Sequence, residues 1–525
     1  MILAAPPTSP VLPPATAAAM LAPAARHRTG TPQFTLMVTF GVLIALAPWL
    51  VQLSPLQQVL CGGQVAVCLA GLARATYPVR PIALVSFGFT FSWLGVGSIY
   101  QLAHGVAAWG DDAVLQNPHV PAALALNLLA ALAMYAGFYL RRQPRALTPQ
   151  EVAAPERVPG RTLPLIYLVA SLGLAPFAIA AAGGVGGLFA SRADRTQALA
   201  LAGLVVQLSG GIGVALATIL PGSLAVAGSY LLIIRLLAQR RRQGWAQLGV
   251  PDVALLAVGI ALTVVYANPF ANTRGITVVA FAPLLLLCLP SRGKPTGWFL
   301  ASVVLFMTLV AYPLANAFRG DDVSRPGGFA AFGTEDFDGF QQVVNTVGYV
   351  SDLGHSWGNY SVSALFYFVP RAVWSGKATP SSIDVALHSH YVFVNLSMPL
   401  HSEMYLEFGT LGMAVVMFLL ARLGGTLDRA WSFGRRTFAG LYAPYVAAAS
   451  LMAIRGPLGS NGPVFLTTAG LIAVGLLVTR HRVPDERPAP DRQALHRHSE
   501  TGGDPGRSRD GGGITPVRFR GSARV

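Results

Sequence analysis

Residues 119–140 read HVPAALALNLLAALAMYAGFYL, a stretch without Asp, Glu, Lys or Arg. An α-helix rises about 1.5 Å per residue, so a run of this length crosses the roughly 30 Å hydrocarbon core of a bilayer. Asp111 and Asp112 precede the run, and Arg141 and Arg142 follow it. Since cytoplasmic loops are enriched in basic residues, the stretch predicts a transmembrane helix whose C-terminal end faces the cytoplasm.

Similar apolar runs recur along the whole chain. They lie near 34–53, 56–74, 81–103, 119–140, 163–183, 209–237, 252–271, 275–290, 297–316, 404–423, 437–454 and 463–480. We therefore predict an all-α, polytopic transmembrane helix bundle of about 12 helices. The run at 198–238 contains Pro221-Gly222 and suits either one kinked helix after an interfacial segment or a tight hairpin. A single crossing is favoured, because a hairpin would place the later Arg-rich loops outside.

The composition agrees with a membrane protein. Of 525 residues, 53% are hydrophobic and only 11% are charged. A soluble domain has roughly a quarter charged residues, so this chain must expose apolar surface to lipid. The net charge of +15 comes from basic residues in the connections between apolar runs, which predicts cytoplasmic loops and no nucleic-acid partner. Cys61, Cys68 and Cys288 fall inside apolar runs and show neither a disulfide framework nor metal-ligand spacing.

The alternation of basic and base-poor connections places both termini in the cytoplasm. The predicted organisation is a disordered arm at 1–33, transmembrane helices 1–9 within 34–316, an extracytoplasmic loop at 317–403, helices 10–12 within 404–480 and a disordered tail at 481–525. The long loop carries Phe, Tyr, Trp and Val throughout, so we expect it to be ordered. Its stretch SVSALFYFV at 361–369 is too short to span and suits an interfacial or re-entrant helix.

The connections assigned to the outside should be poor in cations, so their exceptions are informative. They are Arg192, Arg195, Arg274, Arg319, Arg325, Arg371, Lys377 and Arg455. Each could snorkel to lipid headgroups or pair with Asp194, Asp321 or Asp322. Together they indicate an anionic ligand at the outer membrane surface, because guanidinium groups stay ionised and bind phosphate bidentately.

Two segments of the long loop and of the helix after it concentrate polar side chains. FVPRAVWSGK at 368–377 combines two cations with Trp374, whose ring could stack on a sugar or anchor the loop at the membrane interface. In PLHSEMYLEFGTLG at 399–412, Glu403 and Glu407 lie four apart and share one helix face. A partly desolvated Glu403 could act as a general base, or it could stabilise a helix N-terminus.

In their order along the chain, several short motifs resemble those of the bacterial O-antigen polymerases (Wzy-type oligosaccharide repeat-unit polymerases). The elements that carry the resemblance are Gly183-Gly184-Val185-Gly186-Gly187 to Ser191-Arg192, Asn268-Pro269 to Arg274, Arg319, Pro370-Arg371, Trp374, Lys377, Pro399, Glu403, Tyr405, Phe408, Gly409 and Gly412. The likeness in topology covers about 34–480. One departure is Ala378, with Pro380 beyond it, where the family often has proline directly after the lysine.

The resemblance implies an enzyme of the bacterial cytoplasmic (inner) membrane that transfers a growing glycan from undecaprenyl pyrophosphate onto the next lipid-linked repeat unit. It implies that Arg192, Arg274, Arg319, Arg371 and Lys377 bind the pyrophosphates, and that Glu403 or a neighbour handles the acceptor hydroxyl. A His-centred loop typical of the related O-antigen ligases was not found in this sequence.

We therefore predict a glycosyltransferase that needs no metal, nucleotide or other cofactor. The predicted catalytic residues are Glu403, Arg371 and Arg319, and the predicted substrate-binding residues are Arg192, Arg274, Trp374, Lys377, His401 and Tyr405. The expected partners are the undecaprenyl-pyrophosphate-linked oligosaccharide, the lipid bilayer, a chain-length regulator and a flippase. The alternatives are a transporter of polysaccharide or lipid-linked glycan and an O-antigen ligase.

Overall fold

The structure is a computed structural model that describes residues 31–140, 158–190, 215–244, 249–268, 271–291, 293–314, 328–394, 396–434 and 437–479. All regular elements within these ranges are helical, and none of them is a strand, which confirms the all-α prediction. The predicted tail at 481–525 and residues 1–30 of the predicted arm lie outside the described ranges.

We number the helices in chain order. They are α1 (Thr31–Leu50), α2 (Pro55–Thr76), α3 (Pro81–His104), α4 (Val120–Tyr139), α5 (Thr162–Gly173), α6 (Ala175–Ala181), α7 (Leu220–Gln243), α8 (Val250–Tyr266), α9 (Arg274–Cys288), α10 (Lys294–Phe306, continued by a π-turn over Met307–Ala311 and by Tyr312–Leu314), α11 (Gly339–Leu353), α12 (Asn359–Leu365), α13 (Ser381–His388), α14 (Leu400–Ser432), α15 (Phe438–Arg455) and α16 (Leu458–Val478).

Eight of the helices in the described part of the chain are long and apolar enough to cross a membrane, namely α2, α3, α4, α7, α10, α14, α15 and α16. Helices α5 and α6 meet at a 42° bend and make a ninth crossing if they form one span. The chain is thus a multi-pass, all-helical membrane protein. Helices α1, α8 and α9 are apolar but shorter in their described parts, so the count of about 12 crossings stays a prediction.

The described part of the 198–238 run forms one helix. A π-turn over Ala215–Ile219 leads directly into α7, and Pro221 lies in the first turn of that helix. Proline is tolerated there because the first N–H groups of a helix have no intrahelical partner. The chain therefore makes no hairpin turn at Pro221-Gly222, whereas residues 198–214 lie outside the described ranges.

Helices α4 and α14 approach closely enough to bring their backbones into contact. A Cβ atom placed on Gly137 of α4 would lie 2.3 Å from the carbonyl oxygen of Phe418 in α14. Only glycine fits at such a crossing, as at small-residue contacts between membrane helices generally. This contact fixes the middle of α14 against α4, on the C-terminal side of the candidate site residues that α14 carries.

Helix α14 is interrupted at Gly409, which has φ 70° and ψ −175°. The carbonyl oxygens of Leu406 and Glu407 accept hydrogen bonds from the backbone N–H groups of Ser356 (3.1 Å) and Trp357 (3.0 Å). The preceding connection therefore supplies the donors that an unbroken helix would supply itself. Because α14 begins at Leu400, the boundary predicted at residue 403 falls in its first turn.

Residues 328–394 and 396–399, which we call the loop segment, connect α10 to α14 and contain α11, α12 and α13. The predicted interfacial helix at 361–369 corresponds to α12, which ends at Leu365. Val362 and Leu365 are exposed while Tyr360 is buried, so α12 lies on the surface of the bundle with its apolar side outward. We call the ends of the spans that contact this segment the loop-side ends. Their location outside the cytoplasm stays a prediction.

Candidate functional site

Two arginines stand at the loop-side ends of different helices. Arg274 is the first residue of α9, and its guanidinium lies 3.5 Å from Asp336 Oδ2. It also donates to the carbonyl of Tyr312 at 3.2 Å and lies over the ring of that tyrosine, 4.8 Å from the centroid. Arg455 is the last residue of α15, and its Nε donates to Ser397 Oγ at 3.3 Å.

Two carboxylates of the loop segment face these arginines. Asp336 Oδ1 accepts a hydrogen bond from the hydroxyl of Tyr312 at 3.3 Å. Asp338 is 1% exposed and precedes α11 as its N-cap residue. Its Oδ2 accepts from the indole N–H of Trp109 at 3.2 Å and from the backbone N–H of Ser397 at 3.0 Å. We call Arg274, Arg455, Asp336, Asp338 and Tyr312 the arginine–carboxylate cluster.

The electrostatics of the cluster balance burial against nearby charge. Burial raises the pKa of the Asp338 carboxyl, whereas the positive charge of Arg455 and the hydrogen bonds from Ser397 and Trp109 act in the opposite direction. A buried carboxylate without an adjacent cation would be strongly disfavoured. Arg455 therefore helps Asp338 to carry charge, and the two groups depend on each other.

The local sequence EDFDGF at 335–340 fixes the carboxylates in place. Phe337 and Phe340 are fully buried on either side of Asp338, and a Cβ on the intervening Gly339 would lie 2.7 Å from the ring of Trp93. The side-chain amide of Gln101 in α3 donates to the carbonyl of Phe337 at 2.8 Å. The two aspartates are thus held by packing against a membrane span, which provides the preorganisation that an electrostatic site requires.

Arg455 retains hydrogen-bond donors for a ligand. Arg274 is one-quarter exposed in its side chain, so the cluster can be reached from outside. Within the described residues, the bond to Ser397 is the only hydrogen bond of the Arg455 side chain, which leaves its two terminal nitrogens for an acceptor. Five guanidinium N–H groups in a planar fork suit the oxygens of a phosphate or pyrophosphate.

An apolar groove of about 430 Å³ runs along α1, α2 and α10. Its lining includes Leu46, Trp49, Leu72, Trp298, Leu305 and Phe329. Trp49 meets Phe329 at a centroid distance of 5.5 Å, and Phe329 stacks on Phe332, which in turn contacts Phe337 at 4.5 Å. A continuous set of aromatic rings therefore connects the groove to the turn that carries Asp336 and Asp338.

The predicted cations Arg371 and Lys377 share one loop. Arg371 donates to the carbonyls of Lys377 (2.6 Å) and Ala378 (3.3 Å), and Lys377 Nζ donates to the carbonyls of Tyr367 (2.5 Å) and Val369 (3.0 Å). Desolvation lowers the pKa of Lys377, and the charge of Arg371 adds to this effect. No hydrogen bond or ion pair among the described residues joins this loop to the arginine–carboxylate cluster. Trp374 of the same loop is half-buried.

Glu403 connects two helix starts. Its carboxylate is fully buried and accepts from Ser381 Oγ at 2.6 Å and from the backbone N–H of Leu458 at 3.0 Å. These residues begin α13 and α16, respectively. Both carboxylate oxygens are therefore engaged with helix N-termini, an arrangement that favours the stabilising role over the general-base role. The catalytic assignment stays a prediction.

The remaining predicted residues are distributed elsewhere. His401 lies between α14 and α4, where its Nε2 is 2.7 Å from Asn127 Oδ1, and Tyr405 packs edge-on against His355 at 5.7 Å. Arg192 and Arg319 lie outside the described residues. Of the predicted site residues that are described, the structure brings Arg274 into the cluster and groups Arg371, Trp374 and Lys377 in a separate loop.

Sequence reasoning missed Asp336 and Asp338 and did not select Arg455 from the outer cations as a site residue. A usable signal was present: two acids two residues apart, each beside a phenylalanine, in a loop that was predicted to be ordered.

No family model, no curated protein and no solved structure matches this chain. The resemblance to the O-antigen polymerases therefore stays a prediction.

Proposed function

We propose that this chain is a membrane glycosyltransferase that polymerises undecaprenyl-pyrophosphate-linked oligosaccharide repeat units at the outer face of the cytoplasmic membrane. The observation that carries the proposal is the arginine–carboxylate cluster, in which Arg274 and Arg455 from two separate helices converge on Asp336 and Asp338 at the loop-side ends of the spans. Such a cluster suits a phosphate-bearing headgroup at the membrane surface.

In this proposal, the cluster stabilises the pyrophosphate leaving group. In the transfer, the bond between the donor's anomeric carbon and a pyrophosphate oxygen breaks, and the pyrophosphate retains the electron pair. Fixed guanidinium groups lower the free energy of that developing charge without reorganising during the reaction. Arg274 and Arg455 fill this role in our proposal, while Asp336 orients Arg274 through the 3.5 Å contact. Arg371 and Lys377 would hold a second phosphate, and Arg192 and Arg319 remain candidates from the resemblance.

The apolar groove supports a lipid-linked substrate. Its walls are formed almost entirely by aliphatic and aromatic side chains, and it extends along α10 from Trp298 to Val310. At about 1.5 Å per residue, this part of the helix covers roughly half of the hydrocarbon thickness. An isoprenoid chain lying in the groove would place its pyrophosphate near the cluster.

The proposal includes the finer topology of the chain. It requires the loop segment to lie outside the cytoplasm, with both termini inside and about 12 crossings in total. The basic connections at Arg141-Arg142 and at Arg240-Arg241-Arg242 would then face the cytoplasm, as the bias of Lys and Arg in membrane proteins favours.

The test is the length of the surface glycan. The wild type, Arg455→Gln and Arg274→Gln are expressed in a strain from which the gene is deleted. Arg429→Gln is the matched control, because Arg429 lies in the last turn of α14, at the end of that helix away from the loop segment. At equal membrane levels, the wild type and the control should give a ladder of polymers. The two test variants should give mainly single repeat units, because leaving-group stabilisation by each cation is lost.

Other outcomes would count against the proposal. Ladders that persist in the deletion strain itself would rule out a polymerase. Loss of all surface glycan in the deletion strain, with complete repeat units retained inside, would indicate transport instead.

A further inference from the structure

One face of α11 carries an unusual number of buried amide side chains. Gln341, Gln342 and Asn345 are 0%, 1% and 9% exposed, and they follow the buried N-cap residue Asp338. A helix that only filled space between apolar spans would bury aliphatic side chains here, because each buried amide must find partners for several donors and acceptors. The face is therefore built for polar contacts.

Two of these buried groups have no partner among the described residues: Asp338 Oδ1 and Gln342 Nε2. The two residues are four apart, so they share one face at the start of α11. One group is an acceptor and the other a donor. Leaving both unmet costs free energy, which a ligand that offers both a donor and an acceptor would recover.

Residues 389–394, which we call the strap, cover this face. The hydroxyl of Tyr391 bonds to the amides of Gln341 and Asn345, and Phe393 stacks on Trp109 at 5.2 Å. The cover is thin, because Val392 is fully exposed and Phe393 is half exposed. His390 adopts a left-handed conformation with φ 61°, a strained backbone for a residue other than glycine. Displacing the strap would open the amide face.

We propose that the amide face of α11 is the binding site of the acceptor sugar, and that Asp338 Oδ1 is the base that receives the proton of its attacking hydroxyl. This inference rests on the proposed function. Sugar hydroxyls both donate and accept, as the carboxylate and the amides require, and the ring of Trp109 offers a flat face beside them.

The acceptor hydroxyl oxygen forms a bond to the anomeric carbon of the donor sugar, and its proton passes to Asp338 Oδ1. The bond from that carbon to the pyrophosphate oxygen breaks, and its electron pair leaves with the pyrophosphate. The product is one longer glycan on the acceptor lipid, one free polyprenyl pyrophosphate and one protonated Asp338, which returns its proton to solvent.

The position of Ser397 brings the two halves of this reaction together. Its backbone N–H donates to Asp338 Oδ2 at 3.0 Å, and its hydroxyl accepts from Arg455 Nε at 3.3 Å. Asp338, the proposed base, and Arg455, a cation for the leaving group, are thus hydrogen-bonded to the same residue. Glu403 has no comparable free oxygen, because both of its oxygens are engaged with helix starts.

The experiment uses the purified full chain with lipid-linked repeat units extracted from the deletion strain. Asp338→Asn is compared with Glu335→Gln, an exposed acid three residues earlier that loses the same charge. We expect Asp338→Asn to form dimers of the repeat unit at least about 100-fold more slowly, as the loss of a general base implies. Asp338→Asn should remain folded, because its amide oxygen can still accept from Trp109 and Ser397, and Glu335→Gln should react at the wild-type rate.

Each outcome decides between the two proposals. If the wild type forms no dimers, the proposed function fails. If the wild type reacts and Asp338→Asn reacts equally fast, the assignment of Asp338 fails while the proposed function stands. If Asp338→Asn does not fold, Gln342→Leu decides: a higher substrate concentration at half-maximal rate supports the acceptor site, and an unchanged one overturns it.

Discussion

Glu403→Gln separates the two roles that the sequence allows for this carboxylate. In the structure, one oxygen of Glu403 accepts from Ser381 Oγ and the other accepts from the backbone N–H of Leu458. A glutamine can retain both contacts, since its amide oxygen accepts from Leu458 and its amide nitrogen donates to the serine hydroxyl. It cannot act as a base. The substitution therefore removes the proposed chemistry while it preserves the geometry.

The expected magnitudes follow from these two hydrogen bonds. A bond to a charged group contributes about 1.5–3 kcal/mol and a neutral one about 0.5–1.5 kcal/mol. Weakening both bonds from the first range to the second should therefore cost about 2–3 kcal/mol of stability in Glu403→Gln. Relief of the buried charge reduces that loss. Glu403→Leu instead leaves two donors unmet, at about 1–3 kcal/mol each, so it should cost roughly 2–6 kcal/mol.

The assay combines thermal unfolding in detergent with the rate of repeat-unit transfer. We expect Glu403→Gln to unfold slightly below the wild type and to retain most of its activity, and Glu403→Leu to unfold at a clearly lower temperature. A general base contributes about 10²–10⁴-fold to rate. If Glu403→Gln lost activity by such a factor with an unchanged unfolding midpoint, the reasoning that assigns Glu403 to helix stabilisation would be refuted.

Two further predictions concern packing and pH. Gly137→Ala should lower the thermal unfolding midpoint of the chain, because the added Cβ would lie 2.3 Å from the carbonyl oxygen of Phe418. Gly62→Ala is the control and should not lower it, since no atom lies within 4 Å of the Cβ added there. Equal midpoints for the two variants would contradict the close backbone contact. The transfer rate should fall as the pH is lowered, because Asp338 must be deprotonated to act as a base. The fall should begin above the ordinary pKa range of aspartate, because burial raises the pKa of Asp338 and the charge of Arg455 offsets only part of that rise. A pH–rate profile of the wild type measures this, and an acid limb near pH 4 or below would contradict it.

Hydrophobic runs predicted the spans closely where length and composition alone decide them. The run at 119–140 corresponds to α4 at Val120–Tyr139, because its length and apolar composition are enough to specify a membrane-spanning helix. The run at 404–423 did not predict the interruption at Gly409, since that break depends on N–H donors from Ser356 and Trp357. A pattern in one segment carries no information about donors that reach it from another.

In the candidate site, too, the sequence predicted features of a single segment but not contacts between segments. Arg274 was predicted because a cation at the base-poor end of a membrane helix is conspicuous in the sequence. Its partner Asp336 was missed because the pairing depends on how the loop segment folds back over the span ends. For Arg371, the sequence predicted a catalytic cation that binds pyrophosphate, and this stays a prediction. Its guanidinium donates to two carbonyls of its own loop, a geometry that hydropathy and charge patterns do not encode.

The break in α14 has a mechanical consequence. The short piece before Gly409 is joined to residues 356–361 by the backbone bonds at Leu406 and Glu407 and by the contacts of the Glu407 carboxylate with Ser361. The same piece is also fixed to α4 by His401 and to the first residues of α13 and α16 by Glu403. A displacement of α12 must therefore either bend the chain at Gly409 or pull on α4, α13 and α16 as well. Spin labels on Val362 and Leu419 would measure whether α12 and the longer part of α14 keep their distance, since both side chains are exposed.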